Sequence, residues 1–207
     1  MSARIAVAEV TAEPLVQGAL DQLFGEARTH SRWLPIPVDH RLLQKMYELA
    51  RMAPTSANSQ PARVVFLTTR ASKERLRQAL APANVDKTMT APVTAIVAHD
   101  LAFYEQLPKL MPHVDARSWF ANQPAAQVER AAALGGAMQG AYLITAARAL
   151  GLDCGPIGGF DHALVDDTFF PEGGWKSNFL LNLGYGDSAA LHPRLPRLSF
   201  DEACRIL

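Results

Sequence analysis

Cysteine is scarce in this chain: Cys154 and Cys204 are the only two in 207 residues. Two thiols that far apart make neither a disulfide framework nor a zinc site. They fit reduced thiols in a cytoplasmic protein. A surplus of one charge is also missing, because 20 Lys+Arg balance 20 Asp+Glu. That excludes the basic excess of a general nucleic-acid or membrane-surface binder and leaves room for a local basic site. No apolar run reaches the ~18–20 residues that span a bilayer. The longest helical stretch, Ala125–Leu150, is interrupted by Gln127, Glu129, Arg130, Gln139 and Arg148. Met1-Ser2-Ala3-Arg4-Ile5 leads into no long apolar run, so no secretory signal is expected. No GxGxxG follows an early strand and no GxxxxGK[ST] occurs, which argues against a Rossmann dinucleotide site and a P-loop. There is no internal repeat and no low-complexity segment.

What is present is a large apolar share, 49% hydrophobic. At this length it predicts one compact domain over residues 1–207. Pro14–Phe24 carries a helical apolar face closed by Gly25. Asp39 predicts the N-cap of a helix built on Leu42, Leu43, Met46, Tyr47, Leu49 and Ala50, ended by Pro54. Val64–Thr68 reads as a buried strand, Ser72 as the cap of a helix through Leu80, and Pro92–His99 as a second strand. Leu101–Phe120 is aromatic and weakly helical. The long helix that follows is rich in Ala and Gly, so it predicts close packing at a core or subunit contact. Gly155–Phe160 reads as a glycine-rich turn, with a short helix from Asp161 and a strand at Asn178–Leu183. The irregular alternation favours an α+β layered domain over a regular βαβ repeat.

Four constellations carry candidate chemistry. Arg28-Thr29-His30-Ser31-Arg32 places guanidinium, hydroxyl and imidazole donors where a phosphate could be gripped. The same run reads equally as a solvated basic turn past a helix end. Pro54–Pro61 holds Asn58 and Gln60, whose amides both donate and accept and could read the edge of a flat heterocycle. It is also an ordinary polar turn. Gly158-Gly159 would let main chain approach a flat ligand, or simply turn the chain. The tail bears His192, Arg194 and Arg197, a cation site or a surface basic patch.

Taken in order, these segments resemble the nitroreductase-like FMN enzymes over nearly the whole chain, Ala19 to Arg197. Glu26–His30, Ala53–Asn58, and Cys154-Gly155-Pro156 with Gly159-Phe160-Asp161 resemble in particular the RutE-type malonic semialdehyde reductase branch, which acts in pyrimidine (uracil) degradation. The resemblance implies an α+β nitroreductase-like fold: a central, mostly antiparallel sheet flanked by helices, in an intertwined homodimer with FMN at the subunit boundary. It implies that Arg28, Thr29, His30 and Arg32 hold the FMN phosphate and pyrimidine edge, and that Arg194 meets the phosphate. Asn58 and Gln60 would reach the flavin across the boundary. Pro156, Ile157, Gly158 and Gly159 would lie against the isoalloxazine. Where many relatives carry glutamate, this chain has Gly158. Ala62 stands where the wider family often has tryptophan.

The implied activity is NAD(P)H oxidation with hydride carried through flavin N5, with no dedicated acid–base residue and no metal. NADH and NADPH both remain open as donor. The implied acceptor is malonic semialdehyde, reduced to 3-hydroxypropanoate, with Arg117 facing its carboxylate beside Trp119 and Phe120. The competing readings are a broad nitroaromatic or quinone reductase on the same fold, and a flavin-binding carrier or sensor without turnover.

Overall fold

A computed structural model describes residues 13–207. Met1–Ile5 therefore lie outside the described residues. The sheet has four antiparallel strands, β1 (Ala62–Leu67), β2 (Val93–Asp100), β3 (Asp153–Ile157) and β4 (Trp175–Gly184), in the order β1-β2-β4-β3. The α+β expectation holds.

β2 is buried from Val93 to His99. Successive side chains alternate between the two faces of the sheet. Val93, Ala95 and Val97 join Leu181, Leu183 and Cys154 in one core layer. Ile96 and Ala98 join Leu67, Leu180 and Ile157 in the other. The register of β2 on β4 shifts between Val97 and Ala98.

The first layer is covered by α2 (His40–Ala50) and α7 (Ala125–Ala149). α1 (Gln17–Leu20) precedes them and passes into a π-helical turn, Asp21–Gly25, with Glu26 N–H donating to Asp21 at 2.7 Å. The continuous helix expected over 14–24 is thus shorter, and Leu15, Val16 and Phe24 are exposed. α2 (His40–Ala50) begins as expected, with Asp39 accepting from Arg41 N–H at 2.8 Å. It stops at Ala50, before Pro54, and buries Leu43, Met46 and Ala50 while Tyr47 and Leu49 stay exposed.

The second layer is covered by α3 (Arg70–Arg77), α4 (Pro82–Thr90) and α8 (His162–Phe169). Thr69, not Ser72, caps α3; Ser72 is the reciprocal partner three residues on. Asp161 caps α8. The weakly helical stretch resolves into a 3₁₀ turn at Phe103–Gln106, α5 (Leu107–Leu110) and α6 (Ser118–Ala121).

α7 (Ala125–Ala149) lies across the sheet, and its glycines explain how closely. A Cβ on Gly140 would stand 2.6 Å from Phe179 Cε1, and one on Gly136 would stand 2.7 Å from Asn178 Nδ2. The small-residue face is therefore turned to the core. Leu134, Met138 and Tyr142 are exposed, spaced four residues apart along the helix. Ser199 and Glu202 close a capping box on α9 (Phe200–Ala203) in an otherwise irregular, largely exposed tail. Among the described residues no helix is long and apolar enough to cross a membrane.

Candidate active site

Gly155 lets a further segment lie along the free edge of β3. A Cβ there would stand 2.5 Å from His30 O. His30 N–H donates to Cys154 O at 2.9 Å, and Thr29 forms a parallel bridge with Cys154. After β4 the chain returns beside it: Leu34 N–H donates to Tyr185 O at 2.8 Å and Asp187 N–H to Arg32 O at 3.0 Å. Residues from segments 27–31 and 190–197, with Arg148 of the long helix, become the walls of a cleft of about 260 Å³.

Arg28, Arg148, Arg194, Arg197, Thr29, Ser31 and His192 are among its lining residues, and no carboxylate is. Among the described residues none of the four arginines is ion-paired. Their guanidiniums are positioned by main-chain carbonyls. Arg28 donates to His192 O, Arg194 to Gly25 O at 2.7 Å and Ala27 O at 3.2 Å, and Arg148 to Leu23 O at 2.9 Å. Arg148 Nε is buried without a partner. A carbonyl ligand fixes a guanidinium without cancelling its charge, so the cleft is built for an anion with several acceptor oxygens.

The sequence-predicted residues divide. Arg28, Thr29 and Arg194 line the cleft, with His192 and Arg197 from the tail. Arg32 is exposed beside it, its carbonyl holding Asp187. His30 turns inward and is only 6% exposed. In the sequence Arg148 reads only as a break in an apolar run. A basic residue in the last turn of a long helix is the signal that could have found it.

Gly155-Pro156-Ile157 is strand rather than turn. The glycine-rich turn starts at Gly158, because β3 is an edge strand and tolerates Pro156. The Ile157 side chain belongs to the core, so only its main chain can face a ligand. Gly158 is exposed, with nothing within 4 Å of where a Cβ would be. The Gly159 carbonyl accepts from Asn84 Nδ2 at 2.7 Å and Ala81 N–H at 3.2 Å.

Asn58 and Gln60 precede β1, at the opposite edge of the sheet. Three strand spacings, roughly 14 Å, separate the two edges. The chain folded on itself thus does not bring this loop to the cleft. The loop is strained, with positive φ at Ala57 (54°), Asn58 (50°) and Gln60 (42°). Such conformations cluster at functional sites and persist only when neighbours hold them. Here Asn58 Nδ2 donates to Leu110 O at 2.9 Å, and Gln60 Nε2 donates to Asn58 Oδ1 at 3.0 Å.

Arg117 forms a two-pronged pair with Glu105, at 2.7 and 2.8 Å. That hydrogen bonding holds the Glu105 carboxyl below its ordinary range. Phe120 packs edge-on against Phe103, 5.0 Å between centroids, and Trp119 is exposed. Burial pushes the Cys154 thiol up to about 12, so it is not a nucleophile near neutral pH. Burial also lowers the His99 imidazole below its ordinary value.

The Nitroreductase family profile matches residues 26–185. The chain belongs to the nitroreductase family. It is 57% identical over 197 residues to a protein of Ralstonia nicotianae named "Putative NADH dehydrogenase/NAD(P)H nitroreductase", covering 95% of this chain and 99% of that one. A protein of the same name from Polynucleobacter asymbioticus is 56% identical over 196 residues, covering 95% and 100%. Among solved nitroreductase folds, one from Bacillus subtilis superposes with a TM-score of 0.85 at 21% identity over 92% of this chain and 99% of that one. Another, described as a "putative nitroreductase in complex with FMN" from Exiguobacterium sibiricum, gives 0.82 at 22% identity over 90% and 96%. In this nitroreductase-family chain Thr29, which lines the cleft, pairs with Cys154 of β3, four residues or about 13 Å of extended chain before the Gly158 turn.

Proposed function

We propose that this nitroreductase-family chain is an FMN-dependent NAD(P)H oxidoreductase, one domain per chain, working as a homodimer in the cytoplasm. The observation that carries this reading is the carboxylate-free cleft lined by Arg28, Arg148, Arg194 and Arg197, with Thr29 and Ser31 hydroxyls between them. That donor set fits a phosphate monoester, whose oxygens accept from guanidinium forks and hydroxyls together. The Gly158 backbone, with nothing within 4 Å of where a Cβ would be, offers an open surface for a flat ring system. Bound FMN supplies the hydride chemistry, and the protein supplies binding, orientation and electrostatics.

Arg28 and Arg194 are already oriented before any anion arrives, because Nη2 of each is tied to main-chain carbonyls. Arg32 lends positive charge at the cleft's edge. Asn84 holds the Gly159 carbonyl, which fixes the direction of the adjoining peptide N–H groups. Donor and acceptor take turns in one place, so a ping-pong pattern is expected.

The homodimer reading rests on two features. The Asn58–Gln60 loop and the cleft stand at opposite edges of the sheet, so a second copy is needed for the loop of one to complete the cleft of the other. Leu134, Met138 and Tyr142, with the tail's Leu195, Leu198 and Phe200, are exposed apolar groups suited to a self-complementary contact.

For the acceptor, the sequence resemblance supports malonic semialdehyde, with 3-hydroxypropanoate as product in pyrimidine degradation. A nitroaromatic or quinone acceptor is the second reading. It is favoured by the relatives' names and by the Glu105 carboxylate, which already occupies Arg117. Steady-state kinetics with NADH and NADPH decide between them. The first reading expects a higher kcat/KM for the semialdehyde than for a nitroaromatic or a quinone, and the reverse order would replace it. No oxidation of either dinucleotide with any acceptor would overturn the oxidoreductase reading.

A further inference from the structure

His30 is the one side chain of the 28–31 run that turns away from the cleft. Thr29 and Ser31 on either side of it line the cavity. Its ring is buried against Gly186, where the chain leaves β4 and runs on to the opposite wall that starts at Ala190: a Cβ built on Gly186 would fall inside the imidazole. Asp153 joins both walls. Its Oδ2 accepts from Gly186 N–H at 2.8 Å, and its Oδ1 lies 3.4 Å from His30 Nε2. His30 Nδ1 has no hydrogen-bond partner. The imidazole is thus a spacer between the segment carrying Arg28 and the segment carrying Arg194, with one carboxylate holding both sides. Both arginines also reach across to the opposite wall's main chain, so a change in wall separation moves both guanidiniums at once.

The geometry points to His30 as a positioning residue of the phosphate cleft: it sets the distance between the two walls through Gly186 and Asp153 and never touches the ligand. This inference rests on the reading that the cleft holds the FMN phosphate. It also accounts for glycine at 186, since any side chain there would displace the ring.

The test is a fluorescence titration of the full-length, flavin-free protein with FMN and with riboflavin, which has the same ring system and no phosphate. The wild-type protein should bind FMN more tightly than riboflavin. His30→Ser should weaken FMN about tenfold, the scale of one lost hydrogen bond with its packing, while riboflavin changes less than about twofold, under half a kcal/mol. His30→Gln keeps a donor toward Asp153 and should recover part of the loss. Gly186→Ala should reproduce the FMN defect by pushing the ring out. His30→Ser with Gly186→Ala should be better than the sum of the two, because the added methyl then meets a smaller neighbour.

Unchanged FMN affinity in folded His30→Ser and Gly186→Ala would overturn the inference. So would equal losses for FMN and riboflavin, which indicate general loosening. A wild-type protein with no preference for FMN over riboflavin would instead overturn the phosphate reading of the cleft itself.

Discussion

Arg28 donates to the main-chain carbonyl of His192, 164 residues further along the chain. One hydrogen bond therefore ties the early basic run to the C-terminal tail and leaves the guanidinium charge uncancelled. Replacing Arg28 removes a phosphate ligand and the tie together. Arg28→Ala should weaken FMN binding by about 10- to 100-fold, using ~1.5–3 kcal/mol for a hydrogen bond to a charged group. Arg194→Ala should do the same. Equilibrium titration checks both, and raised salt should weaken the wild-type protein in the same direction.

Lys73 is buried, with its ammonium donating to Met89 O at 3.2 Å and to Ala91 O at the end of α4. Burial lowers it to about 8 from its ordinary 10.5. The unfolded chain keeps that proton up to about pH 10.5, whereas the folded chain gives it up above about pH 8. Between these values the unfolded state holds more protons, so this group's contribution to stability rises with pH. The neutral amine still has two donors for the two carbonyls. Lys73→Met removes the effect. The stability of the wild-type protein relative to this variant should increase from pH 8 to pH 10 in urea unfolding, by about 2 kcal/mol. A flat difference would show that the ammonium is not penalised.

Gly140 faces the Phe179 ring from α7. Gly140→Ala gains about 1 kcal/mol of helix propensity but forces overpacking that costs ~1–3 kcal/mol. The net expectation is a lower urea midpoint. A higher one would mean that α7 shifts freely on the sheet.

Glu105 occupies the Arg117 guanidinium, which the proposed semialdehyde reading sets against the substrate carboxylate. Glu105→Gln should lower KM for malonic semialdehyde and leave KM for an uncharged quinone unchanged. Arg117→Ala should raise only the former. Semialdehyde KM values untouched by both substitutions would remove Arg117 from the site.

Much of the fold was legible in the sequence because its signals are local. Asp39 caps α2 through its own side chain, and the β2 run is apolar because both of its faces are covered. α4 is hidden in the sequence because Pro82 reads as a breaker, although proline suits a first helical turn. Gly155-Pro156 read as a turn because nothing local marks an edge strand. The cleft was only partly legible. Arg28 and Arg194 stand in basic runs that alone read equally as surface charge, and resemblance is what joins them; Arg148 comes from neither motif nor resemblance. His30 looked like one more donor beside Thr29 and Ser31. Only the pairing of Thr29 with Cys154 makes the segment extended, and extended chain sends alternate side chains to opposite sides.

The central claim is that the arginine cleft holds FMN in a working oxidoreductase. The most direct measurement is the visible spectrum of the purified protein under anaerobic conditions, with NADH or NADPH added first and malonic semialdehyde second. The account predicts a yellow protein that bleaches with a reduced dinucleotide and regains its colour with the semialdehyde. Bleaching that only a nitroaromatic or quinone reverses would keep the enzyme and change its acceptor. Colour that neither dinucleotide bleaches would make it a flavin carrier. A colourless protein that takes up no added FMN would contradict the account at its base.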